Sequence, residues 1–488
     1  MENASRRFFY LSIAVIFFKI FAAYALPLTG DEAYFITWGR TLAPGYYDHT
    51  PMTGWVIYLL SHIYPSYVFY RLVVIAIGVF AGWLIYLAGR EFYPKNAELA
   101  AYLYLLSPVH LLILPFSNDI LLFVFCLTAS LMFYLALKRN SLLMTLLAGI
   151  VFGFAFMSKY LAFPVYLALA LYALMSSHRR KLTHLVLFSL MISLFFTQNM
   201  YYNYTHCWNN IMFNVINRTA KKPDIAANYL GFLLKFLYIT TPWLIWYMLR
   251  DLRMKNLRKF FPSVMFIVPV VFYLLLSLKK GIGLHWFLIF VPYVFILAGG
   301  LRQDSLIKSV RYSLYFTAVH IVLAAAVFLM PVTLLKDRKI YPYIAAYSAP
   351  EQICKELSEL DEYTLASTQY NLSSTLSVIC GKDVHVMFST SKYGRQEDFD
   401  FDIRDVSGKD AAVIFVGEPD EDIFRFFEKT DVKKFDVLGA QMSMVLGHGF
   451  RYDEYRDEYL KEIREKYYSF PSWLEPKSCT FTERYFAD

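Results

Sequence analysis

Charge is what this sequence is short of. Lys, Arg, Asp and Glu make up 18% of its 488 residues, where a soluble domain carries about a quarter. With hydrophobic residues at 57%, an ordinary soluble fold is excluded. Cysteine is scarce too. The five residues Cys126, Cys207, Cys354, Cys380 and Cys479 show no C-x-x-C or other metal-type spacing. No internal repeat is visible, which argues against the repeated halves common in secondary transporters. Nor is a cleavable signal peptide expected. The first apolar run is too long and lacks a small-residue cleavage site, so it is expected to stay as a first span.

What fills the sequence instead is long apolar runs. They lie at 8–28, 67–89, 97–116, 119–137, 141–158, 161–177, 183–202, 229–249, 260–278, 285–301 and 312–334, each of membrane-spanning length. The expected architecture is an α-helical polytopic membrane protein with about eleven transmembrane helices. A shorter run at 51–64 follows a polar loop and is expected to lie in the interface. The 44 Phe and 39 Tyr suit long aromatic belts at the bilayer surfaces.

Basic residues set the expected orientation. The N-terminus and the even-numbered gaps carry Arg6, Arg7, Arg90, Lys95, Lys138, Arg139, Arg179, Arg180, Lys181, Arg250, Arg253, Lys255, Arg258, Lys259, Arg302, Lys308 and Arg311. The odd-numbered gaps carry fewer than half as many. Positive residues stay on the cytoplasmic side, so the N-terminus is expected there. An odd number of spans then puts everything after 334 outside. Most of the net charge of +8 is thus a topology signal, and no nucleic-acid partner is expected. Residues 1–334 are expected to form a membrane domain whose first outer loop is 29–66. The tail, 335–488, alternates short apolar stretches (Tyr363–Ala366, Val384–Phe388, Ala411–Val416) with polar turns and helical patterns, as a small extracytoplasmic α/β domain would. A disulfide among Cys354, Cys380 and Cys479 is permitted there, with the pairing left open.

The polar residues at the outer ends of the spans carry the functional signal. The first outer gap reads TGDEAYFITWGRTLAPGYYDHTPM and holds Asp31, Glu32, Tyr47, Asp48 and His49. The next two are short turns with Asn118-Asp119 and Ser158-Lys159-Tyr160. The fourth contains Arg218, Lys221 and Lys222, and the fifth Lys279-Lys280, followed by His285-Trp286. Each has a plain alternative: lysines snorkel to headgroups, an Asp in a turn caps a helix, and Asp48-His49 before Thr-Pro suits a turn. Their convergence on one face outweighs these, because carboxylates at membrane level are costly and tend to be functional.

With these residues in place, the chain resembles the polyprenyl-phosphate-dependent glycosyltransferases of the GT-C fold. It is most similar to the bacterial branch that includes lipid A aminoarabinose transferase and to the protein O-mannosyltransferases. The segment DEAYFITWGRTLAPGYYDHTPMTGWVIYL carries most of the likeness, with Thr50 where the family usually has Pro. Asn118-Asp119, MSKY at 157–160 and NMYYNYTHCWNNIMFNVINR at 199–218 also fit, with Tyr202 in place of a usual Trp. The tail segments YTLASTQYNLSSTLSV and KYGRQEDFD resemble the outer domain of that branch.

The resemblance implies a sugar donor on a polyprenyl monophosphate and an acceptor that is lipid A, a glycan or a protein hydroxyl. It implies a bacterial inner-membrane location with the tail in the periplasm, and Asp31 as the general base, with Glu32 beside it. The chemistry agrees. The phosphate leaving group needs positive charge rather than a proton, and Lys159, Arg218, Lys279, Lys280 and His285 supply it on the expected outer side. The attacking hydroxyl needs a base. Tyr47, Asp48, His49, Asp119 and Tyr160 are expected to bind sugar and acceptor hydroxyls. One direct displacement implies inversion at the anomeric carbon. No cofactor or metal is expected, although Glu32 with Asp48-His49 is a conceivable ligand set. The main rival is a lipid or sugar flippase, which would need a path to both faces. The identity of the sugar and of the acceptor is not readable from these residues.

Overall fold

The computed structural model describes residues 2–217, 224–251 and 260–487. Internal contacts divide the chain into two compact units. One, the bundle, comprises Met1–Ala25, Tyr64–Asn199 and Lys221–Phe328. The other, the sheet unit, comprises Leu26–Ile63, Met200–Ala220 and Leu329–Asp488. The first outer loop and the start of the fourth therefore belong to the same compact unit as the tail.

The bundle is helical and apolar. Among the described residues, five helices are long and apolar enough to cross a membrane: Ser5–Ala25, Tyr67–Phe92, Asn118–Arg139, Lys181–Thr205 and Gln303–Leu329. Ile225–Thr240 and Pro242–Asp251 would make a sixth span, bent by 82°. The bend falls at Thr241, a non-glycine residue with φ of 62°, just before a proline that cannot continue the hydrogen-bond ladder. Leu142–Ser158, Tyr160–Met175 and Phe260–Leu276 are apolar but shorter. Large side chains such as Phe17, Val322 and Leu329 are openly exposed on these helices, an arrangement that only a lipid surround makes favourable.

Two more of the expected spans are broken. The run 97–116 splits into Ala97–Leu105 and Pro108–Leu112, and 285–301 becomes a 3₁₀ turn, Leu284–Ile289, followed by Val291–Ala298. The break at Ser107-Pro108 frees carbonyls that an apolar interior cannot leave bare. They are met by side chains: His110 Nδ1 lies 3.0 Å from the Leu105 carbonyl, and Thr317 donates to that of Leu106 at 2.9 Å. The buried Lys19 ammonium donates to the His110 carbonyl at 2.6 Å.

The sheet unit is built on five strands: β1 Thr364–Ser367, β2 Val384–Val386, β3 Ala411–Val416, β4 Phe427–Val437 and β5 Ala440–Phe450. Their order is β2-β1-β3-β5-β4. β1 runs parallel to β2 and β3, while β5 is antiparallel to both β3 and β4. The helix Tyr370–Cys380 makes the crossover from β1 to β2. β3 is almost wholly buried and reads as a continuous apolar run, as expected for a central strand. Disulfides join Cys354 to Cys380 and Cys207 to Cys479. The second ties the Met200–Ala220 segment to the end of the tail. Helix Met52–Ser61 also belongs to this unit. It buries Met52, Thr53 and Ile57 and exposes Leu59, the one-sided pattern of an interfacial helix.

Candidate active site

In the sheet unit, Asp31 and Glu32 occupy the first turn of helix Gly30–Trp38. Thr29 caps it by accepting from the Glu32 amide, and the helix N-terminus favours carboxylates at this position. Gly30 is required by packing: a Cβ there would lie 2.4 Å from the Cβ of Asn371. That close approach brings the crossover helix alongside, and the Tyr370 hydroxyl donates to Asp31 Oδ1 at 2.8 Å. Asp31 is exposed, whereas Glu32 is almost fully buried. Burial and the Asp31 carboxylate push the phenols of Tyr370 and Tyr347 above their ordinary range, so both stay protonated and able to donate.

The loop Tyr46–His49 is clamped from two directions. Asn210 donates to the carbonyls of Tyr46 and Tyr47, and Asn214 to that of Asp48 at 2.8 Å. Gln396 from the tail accepts from the Tyr47 amide at 2.7 Å. Asp48 is buried beneath Tyr34, whose phenol is held up by burial and by this carboxylate. Trp38 stacks on Tyr46 at 4.8 Å, and the His49 ring sits 6.2 Å from Trp38. Tyr47 is fully buried in the main apolar core with Phe213 and Tyr468, so its ring offers no surface to a ligand.

In the bundle, a second set of predicted residues comes together. Asp119 begins helix Asn118–Arg139, and Lys159 caps the end of Leu142–Ser158. The Lys159 ammonium donates to both Asp119 oxygens, at 3.0 and 2.8 Å, and both groups are buried. His285 Nε2 lies 3.8 Å from Asp119. Trp286 receives Lys280 over its ring at 4.9 Å and Lys159 at 6.0 Å. Tyr160 donates to the Asn199 side-chain oxygen at 2.6 Å. Lys279, the residue before Lys280, is exposed. Arg218 lies outside the described residues.

Several residues with positioning roles were not singled out from sequence: Tyr34, Tyr370, Asn210, Asn214 and Gln396. Asn210 and Asn214 carried a signal, being four apart and so on one helical face. The carboxylates of Asp398-Phe399-Asp400-Phe401-Asp402, which overlap the KYGRQEDFD segment, were given no role from sequence. These three carboxylates do not act together. Asp398 faces Arg395 and Tyr468, Asp400 accepts from Gln396, and Asp402 caps Arg404. Among the described residues, no group of three or more His, Cys, Asp or Glu side chains is arranged to hold a metal ion.

Comparison with known proteins bears on this geometry. By structure, the chain resembles ArnT from Cupriavidus metallidurans in the apo state, at a TM-score of 0.61 and 14% identity over 91% of this chain and 98% of that one. The same protein bound to undecaprenyl phosphate gives a TM-score of 0.62 at 15% identity, over 89% and 97%. The chain has the GT-C fold. Its residues 48–202 match the dolichyl-phosphate-mannose-protein mannosyltransferase family, a glycosyltransferase family. That segment takes in Asp48, His49, Asp119, Lys159 and Tyr160 and begins after Asp31 and Glu32. Lipid A galacturonosyltransferase RgtD of Rhizobium johnstonii is 31% identical over 134 residues, 27% of this chain. The match spans only 28% of that relative's length.

Proposed function

We propose that this GT-C protein is an inverting glycosyltransferase that moves a sugar from a polyprenyl-phosphate donor to a hydroxyl of an outer-leaflet lipid, glycan or protein. One observation carries the reading: Asp31 is an exposed carboxylate fixed by a phenol donor, while Glu32 and Asp48 nearby in sequence are buried. A general base must be reachable and held in place, and Asp31 meets both conditions. It takes the proton of the acceptor hydroxyl as that oxygen bonds to the anomeric carbon. The bond from that carbon to the lipid phosphate breaks on the opposite side, and the configuration inverts. Lys279 and Lys280 supply the positive charge for the departing phosphate, with His285 as a hydrogen-bonding group beside them. Lys159, held by Asp119, contributes less than a free ammonium would.

The relatives support the substrate class. One solved neighbour binds undecaprenyl phosphate, and one curated relative acts on lipid A. The likeness to the bacterial relatives supports an inner-membrane location, and the charge bias supports a cytoplasmic N-terminus. The disulfides agree with it: the four bonded cysteines fall in segments that the bias puts outside, where oxidation is permitted, and Cys126 in a span is free. The test is sugar transfer from a polyprenyl-phosphate donor in membranes holding Asp31→Asn. Loss of turnover with normal expression is expected, and near-native turnover would remove Asp31 as the base.

A further inference from the structure

The sheet unit contains a cavity of about 290 Å³ that none of the roles above uses. It lies between helix Gly30–Trp38 and the crossover helix Tyr370–Cys380, with β2 and the 394–400 segment closing the far side. Its walls are unusually rich in groups that both give and accept hydrogen bonds. Hydroxyls come from Thr37, Thr41, Ser373, Ser374 and Ser377; those of Thr37, Ser373 and Ser377 already donate to the carbonyls of Tyr34, His385 and Val384, so toward a ligand they act as acceptors. The rings of Tyr34 and Tyr370, 5.1 Å apart and edge to face, form an aromatic corner.

The charges at the rim are already matched. Arg40 bonds to Asp383 at 2.6 Å and to the Ser377 carbonyl. His385 faces Glu397 at 2.5 Å, and Asp400 accepts from Gln396 at 2.8 Å. The lining thus holds three carboxylates, one guanidinium and one imidazole. That balance disfavours a phosphate. The polar walls disfavour an acyl chain, which would cut hydroxyls and carboxylates off from water without giving them partners. A neutral polyol suits them: its hydroxyls donate to the carboxylates and to the hydroxyl oxygens of Thr37 and Ser373, and its C–H faces pack on the tyrosines. The volume sits at the small end of ligand pockets, roughly 300–1,000 Å³, and suits one sugar residue rather than an extended glycan.

We propose that this pocket is a subsite for a single neutral sugar residue of the acceptor. The inference rests on the transferase reading above and adds the acceptor's chemistry to it. The link is Tyr370, whose ring forms a pocket wall while its hydroxyl holds Asp31. A sugar seated there has its edge beside the donor that positions the proposed base.

The experiment uses the full chain in lipid nanodiscs and saturation-transfer NMR. The probes are methyl glycosides of mannose, galactose and glucosamine, with hexanoate and inorganic phosphate as competitors. Binding of at least one glycoside is expected, unaffected by either competitor. The signal should fall at least fivefold in Thr41→Trp, which fills the mouth from an exposed position, and in Asp400→Asn. In transfer assays both variants should raise the acceptor KM about tenfold and leave the donor KM unchanged. No glycoside signal in the wild type, an equal signal in both variants, or displacement by phosphate would overturn the proposal. Asp31→Asn separates the two readings, since it should lose transfer and keep the glycoside signal. Turnover retained in Asp31→Asn sinks the base alone; a glycoside signal absent from wild type while Asp31→Asn is dead sinks the pocket alone.

Discussion

The bundle and the sheet unit use their polar residues in opposite ways. In the bundle, buried ionisable groups are met by partners on neighbouring helices less than a hundred residues away. Lys159 meets Asp119, Lys19 meets a carbonyl, and Arg71 donates to the Ala23 carbonyl at 2.9 Å. In the sheet unit the polar contacts join segments 164 to 349 residues apart: Asp31 to Tyr370, Tyr47 to Gln396, Arg40 to Asp383, Tyr46 to Asn210. A lipid surround offers no water, so the bundle must neutralise each group locally. The sheet unit has solvent to fall back on, so its long-range contacts serve to fix loop geometry. Polar residues in the first case keep the fold intact; in the second they hold loops in place around Asp31.

The largest test of this contrast is Asp31→Asn, expected to lower kcat by about 10²–10⁴, the range for a general base, with little change in thermal unfolding. An equal loss of stability would make Asp31 a structural group of the bundle type. Lys159→Ala should do the reverse. It strands the buried Asp119 carboxylate and is expected to cost about 3–5 kcal/mol, read as a lower unfolding temperature in detergent. The double change Lys159→Met with Asp119→Leu should recover most of it. Cys207→Ser releases the Met200–Ala220 segment and is expected to cost about 2–4 kcal/mol, whereas Cys126→Ser should leave stability nearly unchanged.

Tyr370→Phe keeps the ring and removes the donor to Asp31. Turnover should fall five- to tenfold, consistent with about 1 kcal/mol for one hydrogen bond, and unfolding should not shift. The smallest effect concerns pH. Asp400 opens to solvent through the pocket yet is walled in by protein, and this desolvation pushes its carboxyl up to about 6. A carboxyl raised in the fold favours the protonated state, so its contribution to stability is lost as pH rises toward 6. Asp400→Asn should flatten that dependence in unfolding measured between pH 4 and 7.

Legibility in the sequence followed the same divide. Each of the eleven apolar runs falls on helix, because spanning a membrane imposes one composition over a whole segment. Interruptions were not read. Ser107-Pro108 and Thr241-Pro242 look like minor polar punctuation, and only the side chains that satisfy the freed carbonyls decide whether a helix breaks there. Asp31, Asp48, Asp119 and Lys159 stood out because charge is rare near the spans. Tyr47 was misjudged for the opposite reason: among 39 Tyr, nothing local separates a core ring from a binding ring. β4 and β5 were not anticipated either, since exposed positions such as Lys429, Asp431 and Lys434 hide the strand pattern of β4.

The sequence by itself determined that this chain lives in a membrane, which residues are too polar to be there by chance, and that Asp31-Glu32 follow the first span. Composition and charge are properties of segments, and a segment carries them wherever it folds. Tertiary structure alone decided that Glu32 is buried while Asp31 is exposed, that Tyr370 holds Asp31, and that Cys207 pairs with Cys479. Those outcomes depend on which distant stretches share one compact unit. A Cβ too many at Gly30 would change them without altering any local pattern.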